Sequence, residues 1–206
     1  VHFGSAPALE SVDFSINKGK KVAVVGPNGG GKSTLFNALA GLIPLTEGSL
    51  TIDGKSPDEA RGTVSYVPQK DLINWNFPLT VKQVVEMGIT SRKLLNVFNR
   101  KKINQKINKA LQDVGLEEKV NDSIKSLSGG QLQRVLIARA LAQDSEILLL
   151  DEAFSAVDIG AQEDIMQLIN SINLDGKTIL IATHDVNNLE EKFDEVLCLN
   201  KHCCAY

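Results

Sequence analysis

Residues 21–42 read KVAVVGPNGGGKSTLFNALAGL, and they dictate the fold that we predict for the chain. The segment 21–25 is short, rich in valine and bounded by glycines, which is typical of a buried strand in a parallel sheet. In residues 33–42 leucine and phenylalanine recur at helical spacing, and Pro44 and Gly48 mark the exit from that helix. The sequence therefore predicts a strand, a glycine-rich loop and a helix in direct succession.

Between this strand and this helix, residues 26–33 match the pattern G-x-x-x-x-G-K-[ST] at every fixed position. Glycines allow successive backbone N–H groups to converge on one anion, and the helix start adds about half a positive charge. In such a loop Lys32 neutralises the β- and γ-phosphates of a nucleotide, and the Ser33 hydroxyl coordinates Mg²⁺. A glycine-rich turn with a chance lysine is the alternative, which the flanking strand and helix disfavour. The residues predicted to hold the nucleotide here are Gly26, Pro27, Asn28, Gly29, Gly30, Gly31, Lys32, Ser33 and Thr34.

Strands and helices alternate along most of the remaining chain, which predicts an α/β fold with a mainly parallel sheet and covering helices. Residues 80–116 instead follow a helical pattern without strands, and we interpret a helical subdomain over about residues 80–142. Antiparallel strands are expected before Lys20 and within residues 48–67. We therefore predict one domain over residues 1–206. Further predicted strands are 48–53, 64–67, 147–150 and 178–182, and further predicted helices are 130–142 and 165–172.

The composition is that of an ordinary globular protein. Among 206 residues 43% are hydrophobic and 23% are charged, which excludes collagen-like, coiled-coil and disordered chains, and a net charge of −3 disfavours a general nucleic-acid binder. No apolar run approaches the roughly 18–20 residues that span a bilayer, and no signal peptide is recognisable. Three cysteines without a CxxC spacing disfavour a disulfide scaffold or a zinc site and favour a reducing cytosol. No initiator Met precedes Val1 and the chain stops at Tyr206, so we expect both termini to be truncated.

A second motif is the apolar run 147–150 followed directly by Asp151 and Glu152. Ligands of open α/β sheets bind beyond the carboxyl ends of the strands, so Asp151 is expected near the phosphate loop, where it holds Mg²⁺. Glu152, one residue further, is placed to act as a general base that polarises an attacking water. An ordinary strand end with solvated acids is the alternative, and the phosphate loop argues against it. The two motifs together define a P-loop NTPase.

Residues 127–141, LSGGQLQRVLIARAL, narrow the class further. Here the chain resembles the nucleotide-binding domain of ATP-binding cassette (ABC) proteins, in which this segment is the signature motif and precedes the second acidic motif. Ser128 and the following glycines are predicted to cap a helix start, which is a second anion site, and a plain capped helix is the alternative. The resemblance implies that ATP lies between the phosphate loop of one chain and the signature of another, packed head to tail. The signature residues implied in ATP binding are Ser128, Gly129, Gly130 and Gln131.

The resemblance covers the whole chain and implies roles for other positions. Gln69 is similar to the glutamine that reaches Mg²⁺ and the attacking water, His184 to the switch histidine at the γ-phosphate, and Asp158 to the D-loop aspartate that contacts the partner chain. Phe3 occupies the place of the aromatic residue that stacks on adenine, with a core phenylalanine as the alternative. Ala153 departs from the family, which commonly has Pro there. The implied catalytic residues are Glu152, Gln69, His184 and Asp158, and the implied Mg²⁺ ligands are Ser33, Gln69 and Asp151.

The distance between the phosphate loop and the signature motif distinguishes this chain from several branches of the family. About 95 residues lie between Lys32 and Leu127, too few for the long coiled coil of chromosome-maintenance and DNA-repair relatives, and the chain holds no second cassette. Residues 69–88 and the run Gly29–Gly31 resemble the manganese, zinc and iron-chelate importer branch. A group of apolar side chains in this stretch is predicted to receive a helix of a permease, and the alternative is that they close the core of the domain itself. These residues are Leu72, Ile73, Trp75 and Phe77.

We therefore expect the ATP-hydrolysing subunit of a bacterial-type ABC importer for a transition-metal ion, manganese or zinc. The resemblance implies a second copy of the chain, transmembrane permease subunits and, indirectly, a solute-binding protein as partners, with no nucleic acid. It also implies a peripheral location on the cytoplasmic face of the cell membrane. The alternatives are an importer for an iron–siderophore or cobalamin, and a regulatory ABC protein without a permease. A degenerate cassette that binds ATP without hydrolysis is disfavoured because Glu152, Gln69 and His184 are all present.

Overall fold

The computed structural model describes residues 1–3, 6–7, 9–69, 77–89, 100–154, 157–201 and 203–205, with backbone alone for residues 2–3, 6–7 and 203–205. The chain divides into two compact units. The first comprises Val1–Pro68, Glu146–Ala153 and Asn173–Tyr206, and the second comprises Gln69–Ser145 and Phe154–Ile172. Among the helices described, none combines the length and the apolar character that crossing a bilayer requires.

The secondary structure is a succession of strands and helices. In chain order, the elements are β1 (His2–Phe3), β2 (Ala6–Pro7), β3 (Lys21–Val25), α1 (Lys32–Leu39), β4 (Val64–Val67), α2 (Val81–Glu86), α3 (Arg100–Asp113), two 3₁₀ turns (Glu117–Lys119 and Ile124–Ser126), α4 (Gly129–Ala142), β5 (Ile147–Asp151), α5 (Ile159–Leu174), β6 (Thr178–Thr183), α6 (Leu189–Lys192), β7 (Glu195–Leu199) and β8 (Cys203–Ala205).

The first unit contains a six-stranded sheet with the strand order β4-β5-β6-β3-β7-β8. All pairs are parallel except β7 with β8, which is antiparallel. Strand β3 lies inside the sheet, where Val22, Ala23 and Val24 are fully buried, and this burial accounts for its continuous apolar sequence. Because β5, β6 and β3 are parallel neighbours, the segments that follow them meet at one edge of the sheet.

Four of the predicted strands are confirmed, whereas one pairing and one strand are not. Strands β3 and β4 have the predicted bounds, and β5 and β6 are each one residue longer than predicted. The antiparallel pairing expected before Lys20 is present between β1 and β2, but β4 pairs in parallel with β5, so the antiparallel expectation for residues 48–67 is wrong there.

The strand predicted over residues 48–53 is also wrong. Leu50 and Ile52 do alternate with exposed residues, as in a strand. Among the residues described, however, the only pairing in this segment is an isolated bridge between Ile52 and Lys55, which closes a turn. Alternation predicts which side chains face inwards, but a strand also needs a neighbour that accepts its ladder of hydrogen bonds.

The predicted helices are confirmed with different ends. Helix α1 ends at Leu39, because Gly41 turns the chain with a φ of 67° and leaves Leu42 62% exposed. Helix α4 begins one residue earlier than predicted, and α5 begins at Ile159 rather than at residue 165. The first turn of α5 contains the exposed Ile159 and carries no apolar periodicity, so hydrophobic spacing alone did not reveal it.

In the described part of the second unit, helices α2 and α3 both pack on α4. Val135, Leu136 and Ile137 of α4 are fully buried, as are Ile107 and Leu111 of α3. The predicted helical stretch 80–142 lies within this unit, which also includes most of α5.

Gly88→Ala is expected to destabilise the second unit. A Cβ on Gly88 would lie 1.9 Å from the backbone carbonyl oxygen of Arg139 in α4, so one backbone must move. Overpacking of this kind costs about 1–3 kcal/mol, which lowers the Tm by several degrees. The matched control is Gly160→Ala in α5, where the Cβ has only an ordinary 3.6 Å contact with Asp158 Oδ1. Thermal unfolding of both variants tests this, and equal Tm values would contradict the packing argument.

Candidate functional site

The loop 26–31 joins β3 to α1 and leaves the start of the helix open. Gly29 and Gly31 have positive φ values of 75° and 97°, and Gly31, the residue before the helix, provides no side-chain cap. The first N–H groups of α1 therefore have no capping side chain and are available to an anion. The loop also packs closely against the Leu199 carbonyl oxygen at the end of β7. A Cβ would lie 1.9 Å from this oxygen if added to Gly26, and 2.9 Å from it if added to Gly30.

Lys32 carries a buried positive charge at the centre of this loop. Its side-chain Nζ donates to the carbonyl oxygens of Gly26 at 2.8 Å and Pro27 at 3.0 Å, and the residue is 5% exposed. Burial lowers the pKa of the Lys32 ammonium, whereas the nearby carboxylates of Glu152 and Asp151 raise it. A cation held in this way attracts an anion at the loop.

Asp151 presents a buried carboxylate that is only half satisfied. The Tyr66 hydroxyl donates to Oδ2 at 3.0 Å, while Oδ1 is buried without a hydrogen-bond partner. Burial raises the pKa of the Asp151 carboxyl, and the hydroxyls of Ser33 and Tyr66 act in the opposite direction. Buried oxygens without partners are rare in folded proteins and point to a missing ligand. A carboxylate beside the Ser33 hydroxyl is a donor set that suits Mg²⁺.

Glu152 and His184 form a contact pair at the same edge of the sheet. The backbone of Glu152 is left-handed, with a φ of 51°, and its N–H donates to the Ala182 carbonyl at 3.1 Å. Its Oε1 lies 2.7 Å from Nε2 of His184, which follows β6. A left-handed backbone at a residue other than glycine costs about 1–3 kcal/mol, and such strain clusters at functional sites.

The first unit thus brings together several of the residues that the sequence predicted. Lys32 and Ser33 are the first two residues of α1, which follows β3 and its loop. Asp151 is the last residue of β5, and Glu152 and His184 directly follow β5 and β6, so all five lie at the carboxyl edge of these strands. Gln69, the signature residues and Asp158 belong to the second unit. Phe3 lies in β1, and its side chain is outside the described residues, as are residues 70–76.

In the second unit, the signature motif forms a capped helix start. The Gln131 N–H donates to Ser128 Oγ at 3.3 Å, and the Ser128 N–H donates to Gln131 Oε1 at 3.1 Å, which is a capping box. The predicted cap at Ser128 is thereby confirmed. A Cβ on Gly130 would lie 2.9 Å from the Ala161 Cβ, so Gly130 also allows the signature helix to approach α5 closely.

A salt bridge connects helix α5 to α4, the helix that begins at the signature motif. Asp158 Oδ1 accepts the Ala161 N–H at 2.9 Å and so caps α5. The Arg134 guanidinium of α4 donates to Asp164 Oδ2 at 2.8 Å and to the Val114 carbonyl at 3.3 Å. A cleft of about 380 Å³ beside Ser128 is lined in part by this ion pair. The start of the signature helix is therefore held in a fixed relation to α5.

Sequence reasoning missed Tyr66 and Arg134. Tyr66 was interpreted only as a strand residue, because its contact with Asp151 depends on β4 pairing with β5, 85 positions away. Arg134 lies within the signature stretch, but its partner Asp164 is on another helix. A single sequence carries no signal for either pairing.

The geometry of the first unit is typical of one class of nucleotide-binding protein. A strand, an open glycine loop with a buried lysine, and a second strand that ends at Asp151 and is followed by Glu152 make up an arrangement that suits the phosphates of a nucleoside triphosphate. The sequence profile of the family described as ABC transporter matches residues 9–155, and the chain belongs to that family.

Two named relatives are similar to the chain over all or nearly all of its length. The manganese transport system ATP-binding protein MntB of Halalkalibacterium halodurans is 40% identical over 208 residues, which cover 100% of this chain and 82% of the relative. The zinc transport system ATP-binding protein TroB of Treponema pallidum is 40% identical over 199 residues, which cover 97% of this chain and 75% of the relative.

A solved structure extends the comparison to the fold. The dimeric ATP-binding cassette MJ0796, in a post-hydrolysis state bound to ADP and Pi, has a TM-score of 0.81 and 33% identity, with 96% of this chain and 89% of that chain covered. The predicted ABC-type fold is confirmed. The chain is an ABC ATPase that binds ATP.

Proposed function

We propose that this chain is the ATP-hydrolysing subunit of an importer for a transition-metal ion, manganese or zinc. The observation that carries the ATPase chemistry is the assembly of Lys32, Asp151 and the Glu152–His184 pair at one edge of the sheet. The metal cargo is supported by relatives named for manganese and zinc transport that match nearly the full chain.

In the proposed binding step, residues Gly26–Thr34 surround the phosphates of ATP. The N–H groups of the loop and of the first turn of α1 donate to phosphate oxygens, and Lys32 supplies the positive charge. Mg²⁺ would be held by Asp151 and Ser33, with Gln69 as a further ligand. When bound, the ion neutralises charge on the phosphate oxygens. The buried Oδ1 of Asp151, which lacks a hydrogen-bond partner, supports this assignment.

In the proposed hydrolysis step, water attacks the γ-phosphorus in line while the Glu152 carboxylate accepts a proton from it. The bond between the γ-phosphorus and the β–γ bridging oxygen breaks, so the products are ADP and inorganic phosphate. His184 lies 2.7 Å from Glu152 Oε1 and keeps that carboxylate oriented, and it also contacts the γ-phosphate. Gln69 helps to orient the water. Phe3 is assigned to adenine stacking from its resemblance to the family's aromatic residue.

The complete site requires a second copy of the chain, packed head to tail. Residues Ser128–Gln131 of one copy close over the ATP held by the loop of the other, and Asp158 organises the opposite site. The capped helix start at Ser128 supports this arrangement, since its glycine N–H groups form a second anion site. The dimeric state of the related cassette MJ0796 supports it as well.

Coupling to transport is assigned to the segment 69–88, which would contact a membrane permease on the cytoplasmic face of the membrane. Phe77 is 61% exposed and Met87 is 58% exposed, so these two side chains do not fill the core of the second unit. Exposed apolar side chains of this size suit a protein partner. The other predicted contact residues, Leu72, Ile73 and Trp75, lie outside the described residues.

Uptake of ⁵⁴Mn²⁺ and ⁶⁵Zn²⁺ tests this function in source cells from which the gene has been deleted. We expect the wild-type chain to restore uptake of one of these ions and Glu152→Gln to restore none. Glu190→Gln, an exposed change of the same chemistry in α6, serves as the matched control and restores uptake fully. Restored uptake of ferric siderophore or cobalamin instead would identify the rival importers. ATPase activity that a co-purified permease does not change would favour a regulatory protein.

A further inference from the structure

We propose that Tyr66 is a positioning residue for the metal-binding carboxylate: its hydroxyl holds Asp151 Oδ2 and so reserves Oδ1 for the cation. The inference rests on the proposed Mg²⁺ site and extends it to a residue outside every motif of the sequence. Its basis is the difference between the two carboxylate oxygens of Asp151. Oδ2 accepts a hydrogen bond from the Tyr66 hydroxyl at 3.0 Å, whereas the buried Oδ1 has no hydrogen-bond partner.

The strand register explains why Tyr66 reaches this carboxylate. Tyr66 of β4 pairs with Leu149 of β5, two residues before Asp151. Residues two apart in a strand share a face of the sheet, so Leu149 and Asp151 point to the same side. The long phenol ring of Tyr66 extends from the Leu149 position towards the strand end, where its hydroxyl meets Oδ2.

The Tyr66 ring is itself fixed by the helix that follows the phosphate loop. Phe36 of α1 is fully buried, and its ring meets that of Tyr66 edge to face, with centroids 6.4 Å apart and an interplanar angle of 83°. Aromatic pairs favour this geometry. Since α1 begins at Lys32, one aromatic pair connects the helix that carries the phosphate-binding lysine to the carboxylate at the end of β5.

The hydrogen bond from the Tyr66 hydroxyl affects metal binding in a definite way. Asp151 is 1% exposed, so water cannot replace a lost donor at Oδ2. Without the Tyr66 hydroxyl, Oδ2 loses its donor at 3.0 Å, so the side-chain torsion of Asp151 is less constrained and the choice of the oxygen offered to the cation is weakened. Groups that orient a metal ligand from behind typically contribute about 10–100-fold to metal affinity.

Tyr66→Phe tests the proposal by removing the hydroxyl while keeping the ring on Phe36. The measured quantity is the gain in affinity for AMP-PNP, an ATP analogue that resists hydrolysis, when Mn²⁺ replaces EDTA in the buffer. We expect Tyr66→Phe to reduce this metal-dependent gain about tenfold and to leave AMP-PNP affinity in EDTA unchanged. Phe36→Leu is the matched control, because it removes the ring contact but keeps the hydroxyl. It should lower the Tm while retaining most of the gain.

Two outcomes separate this proposal from the metal assignment itself. If Asp151→Asn abolishes the gain and Tyr66→Phe keeps all of it, the role of Tyr66 is wrong and the metal site stands. If wild type shows no gain, or Asp151→Asn leaves it unchanged, the proposed metal site fails, and the role of Tyr66 fails with it.

A second measurement needs no variant at position 66. The chain has two tyrosines, so labelling with 3-fluorotyrosine gives two ¹⁹F signals, and Tyr206→Phe assigns them. We expect Mg²⁺ added to the AMP-PNP complex to shift the Tyr66 signal, and Mn²⁺ to broaden it. An unperturbed Tyr66 signal under saturating metal would overturn the proposal.

Discussion

Glu152→Gln is expected to reduce ATP hydrolysis by about 10²–10⁴-fold while leaving ATP binding intact, because an amide cannot accept the proton of the attacking water. Glutamine has the same shape, so the contact with His184 and the left-handed backbone at this position can persist. Phosphate release measures the loss, and a fluorescent ATP analogue measures binding. With hydrolysis blocked, sedimentation in ATP should detect a dimer that ADP does not support.

The control for this variant is Glu190→Gln, which changes an exposed carboxylate of the same unit and should hydrolyse ATP at the normal rate. Near-normal turnover in Glu152→Gln would show that the general base is another group. Monomers alone in ATP would contradict the head-to-tail arrangement, even with hydrolysis lost.

Lys32→Ala should weaken ATP binding by about 100-fold. Its ammonium makes two hydrogen bonds to loop carbonyls and is 5% exposed, so a phosphate that enters the loop meets a charge that water screens little. A charge-assisted hydrogen bond from the ammonium to a phosphate oxygen contributes about 1.5–3 kcal/mol, and at the upper end of that range its loss lowers the affinity about 100-fold, since 1.4 kcal/mol is tenfold. Isothermal titration with ATP measures the affinity directly.

The truncation also leaves the carbonyls of Gly26 and Pro27 without the ammonium donor, so the Tm without nucleotide is measured in parallel. Lys55→Ala removes an exposed lysine of the same unit and is expected to change neither affinity nor Tm. Unchanged affinity in Lys32→Ala would refute the assignment of the phosphate loop.

Local signals account for what the sequence predicted well. Strand β3, its loop and the helix that follows are specified by residues that are neighbours in the chain, and so is the cap formed by Ser128 and Gln131. The bounds of β4 followed from the short run Val64–Val67, which Pro68 ends. For such features, periodicity and capping chemistry are sufficient.

Features that depend on which strands become neighbours were not predictable in the same way. The 2.7 Å contact of Glu152 with His184 requires β5 beside β6, and the Tyr66 contact requires β4 beside β5. The incorrect strand prediction at residues 48–53 has the same cause. The alternation of buried and exposed side chains is present there, but local sequence does not encode whether a neighbouring strand pairs with the segment. Side-chain alternation fixes orientation, whereas pairing is a property of the assembled sheet.

The close approach of Leu199 to Gly26 and Gly30 has a consequence for every catalytic cycle. The loop is held in its curved conformation by contact with the end of β7 and by the hydrogen bond that the Lys201 N–H donates to the Gly30 carbonyl. This conformation therefore forms when the protein folds. If the loop binds the triphosphate as proposed, the nucleotide meets a conformation that is already formed, and the loop keeps that conformation after the products leave.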